Sequence, residues 1–247
     1  MAIELTIVDS EEQVADAAVE EVRGVLARRR AAAIAVPTGR TPMPMYERLV
    51  QLHRDKRLDL SSVRWFALDE FLGLPPTHPG SFRHWLERHL IGPARLDPLQ
   101  LWSLRGDAED PAAEALSYEA RIRSAGGLDL ALLGIGTNGH LAFNEPGTTG
   151  SSRTGVRRLT AETRAANRYL FPNGEVPREG LTIGLGTLLE SRVLVVLATG
   201  GAKAAAVEEM LRPPPDALRS PASLLQGHPH ARAILDRPAA AHCRRSP

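Results

Sequence analysis

The sequence predicts an α/β fold, built on a mostly parallel sheet with helices on both faces. Short apolar runs of strand length alternate along the chain with stretches of helical periodicity, which is typical of parallel strands joined by helical crossovers. The turns that follow several of these runs carry glycine together with polar or charged side chains. One long polar connection, residues 151–180, interrupts the alternation and is predicted to be a lid segment.

Composition excludes several classes of protein. The chain of 247 residues has no internal repeat and no linker-like break, so we predict a single domain over residues 1–247. A net charge of +1 gives no general attraction to nucleic acid or to an anionic membrane, and no apolar run reaches membrane-spanning length. The single cysteine and the absence of a signal-peptide pattern predict a cytoplasmic protein. No cluster of histidine, cysteine and acidic residues has the spacing of a metal site.

The first two predicted strands flank a long helix. Residues 3–8 alternate enough to form a strand. Ser10, followed three residues later by Gln13, forms a capping box that starts a helix reaching about Arg30. Residues 31–36 are a short apolar run and predict a buried strand.

The turn at residues 37–42, PTGRTP, leads from this strand into the next helix. A strand, a glycine-containing turn and a helix together present backbone N–H groups and the positive end of the helix dipole to a phosphate. The residues of this candidate anion site are Thr38, Gly39, Arg40 and Thr41. The structural alternative is a capped helix start, with Thr41 as N-cap and Pro42 as the first helical residue. Both interpretations hold together, because a cap and an anion use the same free backbone donors.

Residues 63–68 predict the next strand, and Asp69 and Glu70 follow at its carboxyl end. Adjacent carboxylates usually belong to a solvated loop. The carboxyl ends of the strands are, however, where open α/β sheets build their sites. The elements predicted after this point are a helix at 81–90, a short strand at 99–103 and a helix at 109–123.

The central stretch, residues 128–147, reads LDLALLGIGTNGHLAFNEPG. Its apolar start predicts a buried strand, and the strand ends in a glycine-rich turn. The residues of chemical interest at this turn are Gly136, Asn138, His140 and Glu145. GIGTNG matches the dinucleotide fingerprint, but Pro146 argues against the helix that the fingerprint requires directly after the turn. We therefore expect no nicotinamide or flavin site here.

The last third of the chain repeats the strand–turn–helix pattern. Residues 193–198 predict a buried strand, and TGGAK with Lys203 opens the helix that follows. A lysine at a helix N-terminus opposes the dipole, so Lys203 is either an exposed surface residue or a cation that meets an anion held there. The remaining predictions are a final helix beginning near residues 224–225, a final strand at 231–235 and a frayed tail after Pro238.

These turns are all expected at one edge of the sheet and predict a crevice with two ends. One end carries N–H groups, hydroxyls and the cation of Lys203. The other carries Asp69, His140 and Glu145, which are suited to general acid–base work. The sequence therefore predicts a pocket for a small phosphorylated molecule, with proton transfer at some distance from the phosphate.

The motifs also carry a family resemblance. They are, in chain order, PTGRTP, ALDEFLGLPPTHPGSF, LLGIGTNGHLAFNEPG, LTAETRAAN, LTIGLGTLLES and TGGAKAAAV. In this order they resemble the isomerising glucosamine-6-phosphate deaminases, over about residues 36–235. The related 6-phosphogluconolactonases share the glycine turns but have different residues around them. The resemblance implies a Rossmann-like three-layer α/β/α fold and conversion of glucosamine 6-phosphate and water to fructose 6-phosphate and ammonia, with no cofactor.

The resemblance also implies roles for individual residues. His140 would open the sugar ring and Asp69 would take the C2 proton, with Glu145 and Asn138 orienting His140. The positions that match phosphate-binding residues are Gly39, Arg40, Thr41, Arg164 and Lys203. Glu70, beside Asp69, would raise the pKa of the base through its like charge.

Some residues depart from the family pattern. Many members have Asp where this chain has Asn138, and Arg40 replaces a small residue. Gly155 and Arg158 differ from the set found in hexameric members that N-acetylglucosamine 6-phosphate activates, so we predict no such activation. Lactone hydrolysis, a galactosamine 6-phosphate preference, a non-catalytic sugar-phosphate sensor and a homo-oligomer stay open.

Overall fold

Residues 3–172 and 174–243 are described in this computed structural model. The strands are β1 Glu4–Val8, β2 Ala33–Val36, β3 Arg64–Ala67, β4 Asp69–Phe71, β5 Leu101–Trp102, β6 Leu130–Gly134, β7 Gly155–Arg158, β8 Glu179–Thr182, β9 Leu194–Ala198 and β10 Ala231–Asp236. The helices are α1 Glu11–Arg28, α2 Met43–Arg54, α3 Phe82–Leu86, α4 Gly92–Ala94, α5 Pro111–Ser124, α6 Ala161–Ala166, α7 Leu185–Leu189 and α8 Ala204–Leu211. A π-helical turn, Glu87–Ile91, joins α3 to α4.

The main sheet has seven strands in the order β1-β10-β9-β6-β2-β3-β5. Every neighbouring pair in it is parallel. The strand order changes direction beside β6 and β2, so the carboxyl ends of these central strands open a crevice. The predicted α/β class with a mostly parallel sheet is confirmed.

Helices cover both faces of the main sheet. One core packs α1, α2 and the α3–α4 segment against strand side chains such as Ile34 and Leu132. The other core packs α5, α7 and α8 against the alternate positions, such as Ala35 and Leu133. Because successive strand residues point to opposite faces, the continuous apolar runs of the sequence are what a sheet buried on both sides requires. The result is the expected three-layer arrangement.

The first long helix begins as its sequence predicts. Ser10 Oγ accepts a hydrogen bond from the Gln13 backbone N–H at 3.3 Å, and Gln13 Oε1 accepts one from the Asp9 N–H at 2.7 Å. The prediction for the second helix was wrong in detail. Pro42 occupies the N-cap position of α2, and no side chain caps it. Thr41 is therefore not the cap, and its hydroxyl lies 3.2 Å from the Thr199 hydroxyl instead.

A second, antiparallel sheet lies beside the crevice, with the order β4-β8-β7. The chain at Asp69 continues directly from β3 into β4, where Asp69 pairs with Thr182. Asp69 and Glu70 therefore belong neither to a solvated loop nor to a turn, because a strand from more than a hundred residues later in the chain supplies the hydrogen bonds that extend them.

The segment at 151–180 has more regular structure than its irregular sequence suggests. It contains β7, α6 and a 3₁₀ turn, Arg168–Leu170. Thr160 caps α6, since its side chain accepts from the Thr163 N–H at 3.1 Å. A small apolar cluster holds the segment against β4 and α3, and its members are Phe71, Phe82, Phe143, Leu159, Phe171 and Val176.

Ala239 is fully buried, and its N–H donates to Asp236, so the chain just after Pro238 is not frayed; the rest of that prediction, at 244–247, lies outside the described residues. No helix among residues 3–172 and 174–243 is long and apolar enough to cross a membrane.

Candidate active site

A cleft of ≈ 820 Å³ opens at the carboxyl edge of the main sheet. Three turns, the start of β4 and the segment at 151–180 line it. The contributions of the turns are residues 37–42 after β2, residues 134–137 with His140 at the end of β6, and Thr199, Gly200, Ala202 and Lys203 after β9, and β4 contributes Asp69. The segment at 151–180 contributes Glu162, Thr163, Ala165, Ala166, Asn167 and Tyr169. Turns that are far apart in sequence therefore meet in one hollow.

Asp69 provides a buried carboxylate on the wall of this cleft. The residue is only 8% exposed. No group in the described part of the chain donates a hydrogen bond to its side chain, although its backbone is held by the β4–β8 pairing. Burial, and secondarily the like charge of Glu70, raises the pKa of Asp69 well above its usual range. A carboxylate with few partners and a raised pKa is suited to accept and return a proton.

Glu70 is the opposite case, because its carboxylate is fully occupied. Oε1 accepts from the N–H groups of Phe71 and Phe82, and Oε2 accepts from the Ser81 hydroxyl at 2.6 Å and the Arg83 N–H. Burial raises the pKa of Glu70, and these donors oppose that shift. The side chain fixes the start of α3 to β4, so it holds the strand that carries Asp69.

His140 is held by a chain of two polar side chains, Asn138 and Glu145. Asn138 Oδ1 lies 2.7 Å from His140 Nδ1 and also accepts from the His140 backbone N–H at 3.2 Å. Asn138 Nδ2 donates to Glu145 Oε2 at 2.9 Å. Since an amide oxygen only accepts, the proton of neutral His140 belongs on Nδ1. Nε2 is then the free basic nitrogen.

Burial is the main reason that His140 stays neutral. Burial, together with the positive charge of Lys203, lowers the pKa of His140, and the negative charge of Glu145 only partly opposes this. Burial by itself would raise the pKa of Glu145, but hydrogen bonds and the nearby imidazole lower it overall. Thr160 contributes two of those bonds, through its N–H and its hydroxyl, to Oε1. Glu145 therefore stays ionised beneath a neutral imidazole.

Gly136 gives the imidazole its space. A Cβ at this position would lie 2.2 Å from Cε1 and Nδ1 of His140. The backbone of the turn also closes on itself, because the Gly136 N–H donates to the His140 carbonyl at 2.9 Å. Glycine at this point lets the ring pack directly on the main chain.

The opposite end of the cleft is built from the two other glycine turns. Gly39 has a φ of 104° and Gly200 a φ of 83°, a region that favours glycine. Thr41 Oγ1 lies 3.2 Å from Thr199 Oγ1, so the two turns touch. Asp236 accepts from the Gly200 N–H and fixes the second turn. Burial lowers the pKa of Lys203, whose side chain also lines this end. Hydroxyls, N–H groups and a lysine here suit an anion.

The structure does not place Arg164 in the cleft. Residues 162, 163, 165 and 166 of α6 line the cleft, and position 164 lies on the opposite side of that helix. The Arg164 Nε is buried without a partner among the described residues. The expectation that Arg164 contributes to the anion site is therefore not supported by its position.

The other ten predicted residues do come together. Thr38, Gly39, Arg40, Thr41, Asp69, Gly136, His140 and Lys203 line the cleft, and Asn138 and Glu145 lie behind His140. Sequence reasoning missed Thr160, Thr163, Tyr169 and Thr199. Thr160 precedes an acidic helical turn as an N-cap does, which was a usable signal; the contacts of Tyr169 and Thr199 depend on distant parts of the chain.

Comparison with known proteins agrees with this geometry. The family model for glucosamine-6-phosphate isomerases/6-phosphogluconolactonase matches residues 8–234. A glucosamine-6-phosphate deaminase of Arthrobacter sp. (strain FB24) is 39% identical over 98% of this chain and 93% of its own length. The corresponding protein of Rhodopirellula baltica is 43% identical over 96% of this chain and 95% of its own length.

Two solved structures with similar folds differ in how similar they are to this chain. A monomeric glucosamine-6-phosphate deaminase superposes with a TM-score of 0.93 at 32% identity, covering 97% of this chain and 100% of its own. The 6-phosphogluconolactonase of Trypanosoma brucei superposes with a TM-score of 0.76 at 19% identity, covering 98% of this chain and 99% of its own. The second likeness shows the shared fold alone.

Proposed function

The chain belongs to the family of glucosamine-6-phosphate isomerases and 6-phosphogluconolactonases, and from this premise we propose that it converts glucosamine 6-phosphate and water to fructose 6-phosphate and ammonia. One observation carries the proposal. Asp69, a buried carboxylate to which no group among the described residues donates, and His140, a neutral imidazole held through Nδ1, line the same cleft as an anion-binding end. This arrangement supplies two separate proton-transfer groups and a binding site for a phosphate.

His140 is proposed to open the sugar ring. The closed pyranose has no carbonyl at C1, so the hydrogen on C2 is not acidic. The Nδ1–H group of His140 keeps its hydrogen bond to Asn138. The free Nε2 takes the proton of the C1 hydroxyl and delivers it to the ring oxygen O5. The C1–O5 bond breaks and an open-chain aldehyde forms. Glu145 stabilises the imidazolium that exists between the two transfers, because its charge reaches the ring through Asn138.

Asp69 is proposed to move the proton from C2 to C1. Its carboxylate takes the C2 hydrogen as a proton, and the electron pair of that bond forms the C1–C2 double bond of an enolamine while the C1 carbonyl oxygen takes up a proton released by the substrate's own ammonium group. Return of the proton to C1 leaves an iminium at C2. Water adds to C2 and the C–N bond breaks, which releases ammonia and leaves the ketone of fructose 6-phosphate. The raised pKa of Asp69 brings the carboxylate closer to the basicity that this step needs.

The anion end is proposed to hold the 6-phosphate. Backbone N–H groups at the two glycine turns, the hydroxyls of Thr38 and Thr41, and the cations of Arg40 and Lys203 surround that part of the cleft. Phosphate binding there fixes one end of the substrate, so that C1 and C2 lie at the acid–base end. Charged donors and helix-start N–H groups are the usual partners of phosphate.

Ammonia release from glucosamine 6-phosphate tests the proposal directly. Wild-type protein and Asp69→Asn are assayed side by side, and the mutant is expected to lose about 10²- to 10⁴-fold in turnover, as for removal of a general base. Binding of the sugar phosphate should be retained in the mutant. Equal turnover in the two proteins would remove Asp69 from the mechanism.

The same assay separates the alternatives. Hydrolysis of 6-phosphogluconolactone without ammonia release from either amino sugar would establish a lactonase. A higher kcat/KM on galactosamine 6-phosphate would change the assigned epimer, and binding without turnover of any of them would indicate a sensor. The rate is expected to depend hyperbolically on substrate, with no change on addition of N-acetylglucosamine 6-phosphate.

Location and assembly follow from the same proposal. We expect the reaction in the cytoplasm, where sugar phosphates are held. All residues assigned above come from one chain, and the structural relative with a TM-score of 0.93 is described as monomeric. The site is therefore proposed to work within a single subunit, and light scattering on the purified protein measures whether a homo-oligomer forms.

A further inference from the structure

A contact between Arg40 and Tyr169 joins the turn at residues 37–42 to the proposed lid segment at residues 151–180. The guanidinium carbon of Arg40 lies 5.5 Å from the centre of the Tyr169 ring, within the range of a cation–π interaction. Arg40 belongs to the turn after β2, and Tyr169 to the 3₁₀ turn after α6. We propose that Tyr169 is a positioning residue for phosphate recognition, whose ring holds the Arg40 guanidinium at the phosphate end of the cleft. This inference rests on the proposed function, because it assumes a phosphorylated substrate.

Arg40 has its hydrogen-bonding capacity free. In the described ranges no carboxylate or carbonyl oxygen accepts from its side chain, and its backbone carbonyl accepts only from Met43. An aromatic face attracts a guanidinium without using its in-plane N–H donors. A guanidinium held this way therefore keeps a planar set of donors for two phosphate oxygens.

The cations of the cleft make this role specific to Arg40. Among the residues that line the cleft, the arginine and lysine side chains are Arg40 and Lys203. Both come from the glycine turns of the main sheet. The lid places Arg164 on the far side of α6 and contributes the Tyr169 ring instead. Loss of Tyr169 is thus expected to act through Arg40 and not through a charge of the lid.

The properties of Tyr169 indicate that the ring, not the hydroxyl, is the working part. The residue is 47% exposed, and its hydroxyl has no partner within the described part of the chain. Burial raises the pKa of Tyr169, while the charge of Arg40 opposes the shift, so the phenol stays neutral. A phenylalanine offers the same face and should replace it.

The physical gain is the restriction of a long, exposed side chain. Without the ring, Arg40 samples many rotamers, and binding a phosphate must first select one of them. A cation–π contact of this kind corresponds to about a 3- to 10-fold change in affinity. The effect belongs to phosphate binding, so it should appear in KM for the phosphorylated sugar and leave kcat nearly unchanged.

The test is a double-mutant cycle on binding, measured by calorimetry with glucosamine 6-phosphate in the Asp69→Asn background. In that background the ligand is bound without being consumed. Tyr169→Ala should weaken binding about 3- to 10-fold, and Arg40→Ala should weaken it at least as much. Tyr169→Ala should then add nothing when Arg40 is already alanine. Tyr169→Phe should restore most of the affinity.

Two controls accompany the cycle. Arg121→Ala removes another arginine–aromatic contact, 6.0 Å from the centre of the Trp102 ring and outside the cleft, and should leave binding unchanged. Glucosamine without phosphate should bind equally to all variants. The steady-state KM and kcat of the corresponding variants with Asp69 intact show whether the change falls on KM.

Three results would overturn the inference. They are an unchanged affinity in Tyr169→Ala, a full additional loss from Tyr169→Ala in the Arg40→Ala protein, and a Tyr169→Phe variant as weak as the alanine. Failure of the proposed function has a different signature, since wild-type protein would then release no ammonia. The binding cycle, repeated with inorganic phosphate as the probe, still reports the coupling of Arg40 and Tyr169 in that case.

Discussion

The Nδ1 atom of His140 lies 2.7 Å from Oδ1 of Asn138, and Nδ2 of the same Asn138 donates a hydrogen bond to Glu145 Oε2 at 2.9 Å. An amide between an imidazole and a carboxylate fixes the tautomer, because the amide oxygen can only accept a hydrogen bond from Nδ1. The carboxylate Oε2 itself is 3.6 Å from Nδ1. The histidine is therefore kept neutral and oriented, which is the state that a base at Nε2 requires.

Replacing Asn138 tests this relay. Asn138→Leu should lower kcat by about 10- to 100-fold, the usual effect of losing a partner that orients a functional histidine, with little change in KM. Asn138→Asp places a carboxylate at Nδ1, so it should raise the pKa of His140 and move the acid limb of kcat to higher pH. Steady-state kinetics across pH measure both effects. An Asn138→Leu enzyme with wild-type kcat would show that His140 needs no such support.

Gly136 should tolerate no side chain. Gly136→Ala puts a Cβ 2.2 Å from the imidazole, and a displacement of the ring by about 1 Å is enough to cost about 100-fold in kcat. Gly134→Ala is the matched control, because a Cβ there meets no atom within 4 Å. The two variants are compared by kcat and by thermal unfolding. Equal losses in both would mean that the turn, and not the contact with His140, is what matters.

Asp69→Asn should stabilise the fold while it removes turnover. The pKa of Asp69 is raised in the folded protein, chiefly by burial and then by Glu70. The folded state therefore binds the proton more tightly than the unfolded state, and wild-type stability is lost as pH rises from the ordinary aspartate value through the raised one. Asparagine carries no charge and escapes this loss, so its Tm advantage should be absent at low pH and grow toward neutral pH.

Thermal unfolding of both proteins between pH 4 and pH 8 measures this difference, and each kcal/mol corresponds to about 2–4 °C in a chain of this size. A wild-type protein as stable as Asp69→Asn at every pH would contradict the raised pKa.

Lys203→Ala should act on binding. Removal of a charged donor to the phosphate is expected to raise KM by about 10- to 100-fold with kcat nearly unchanged. Lys56, the other lysine of the sequence, is exposed and does not line the cleft, so Lys56→Ala is the control. A normal KM in Lys203→Ala would identify Lys203 as a surface residue. Glucosamine, which lacks the phosphate, should show no difference between the variants.

The sequence by itself determined the α/β class, because strand-length apolar runs between helical stretches permit few other folds. It also determined most of the site, since the turns after β2, β3, β6 and β9 must end at the same edge of a parallel sheet. His140, Asn138 and Glu145 lie within one stretch of eight residues, so their contacts are largely local.

The tertiary structure alone decided what depends on direction and on distant partners. The rotation of α6 takes Arg164 out of the cleft, and the 3₁₀ turn after it brings Tyr169 over Arg40. Pairing with β8 extends Asp69 as a strand, where burial changes its pKa. Periodicity reports only that a residue is on a helix or a strand. Which way the side chain points, and which group from elsewhere in the chain it meets, is fixed by packing.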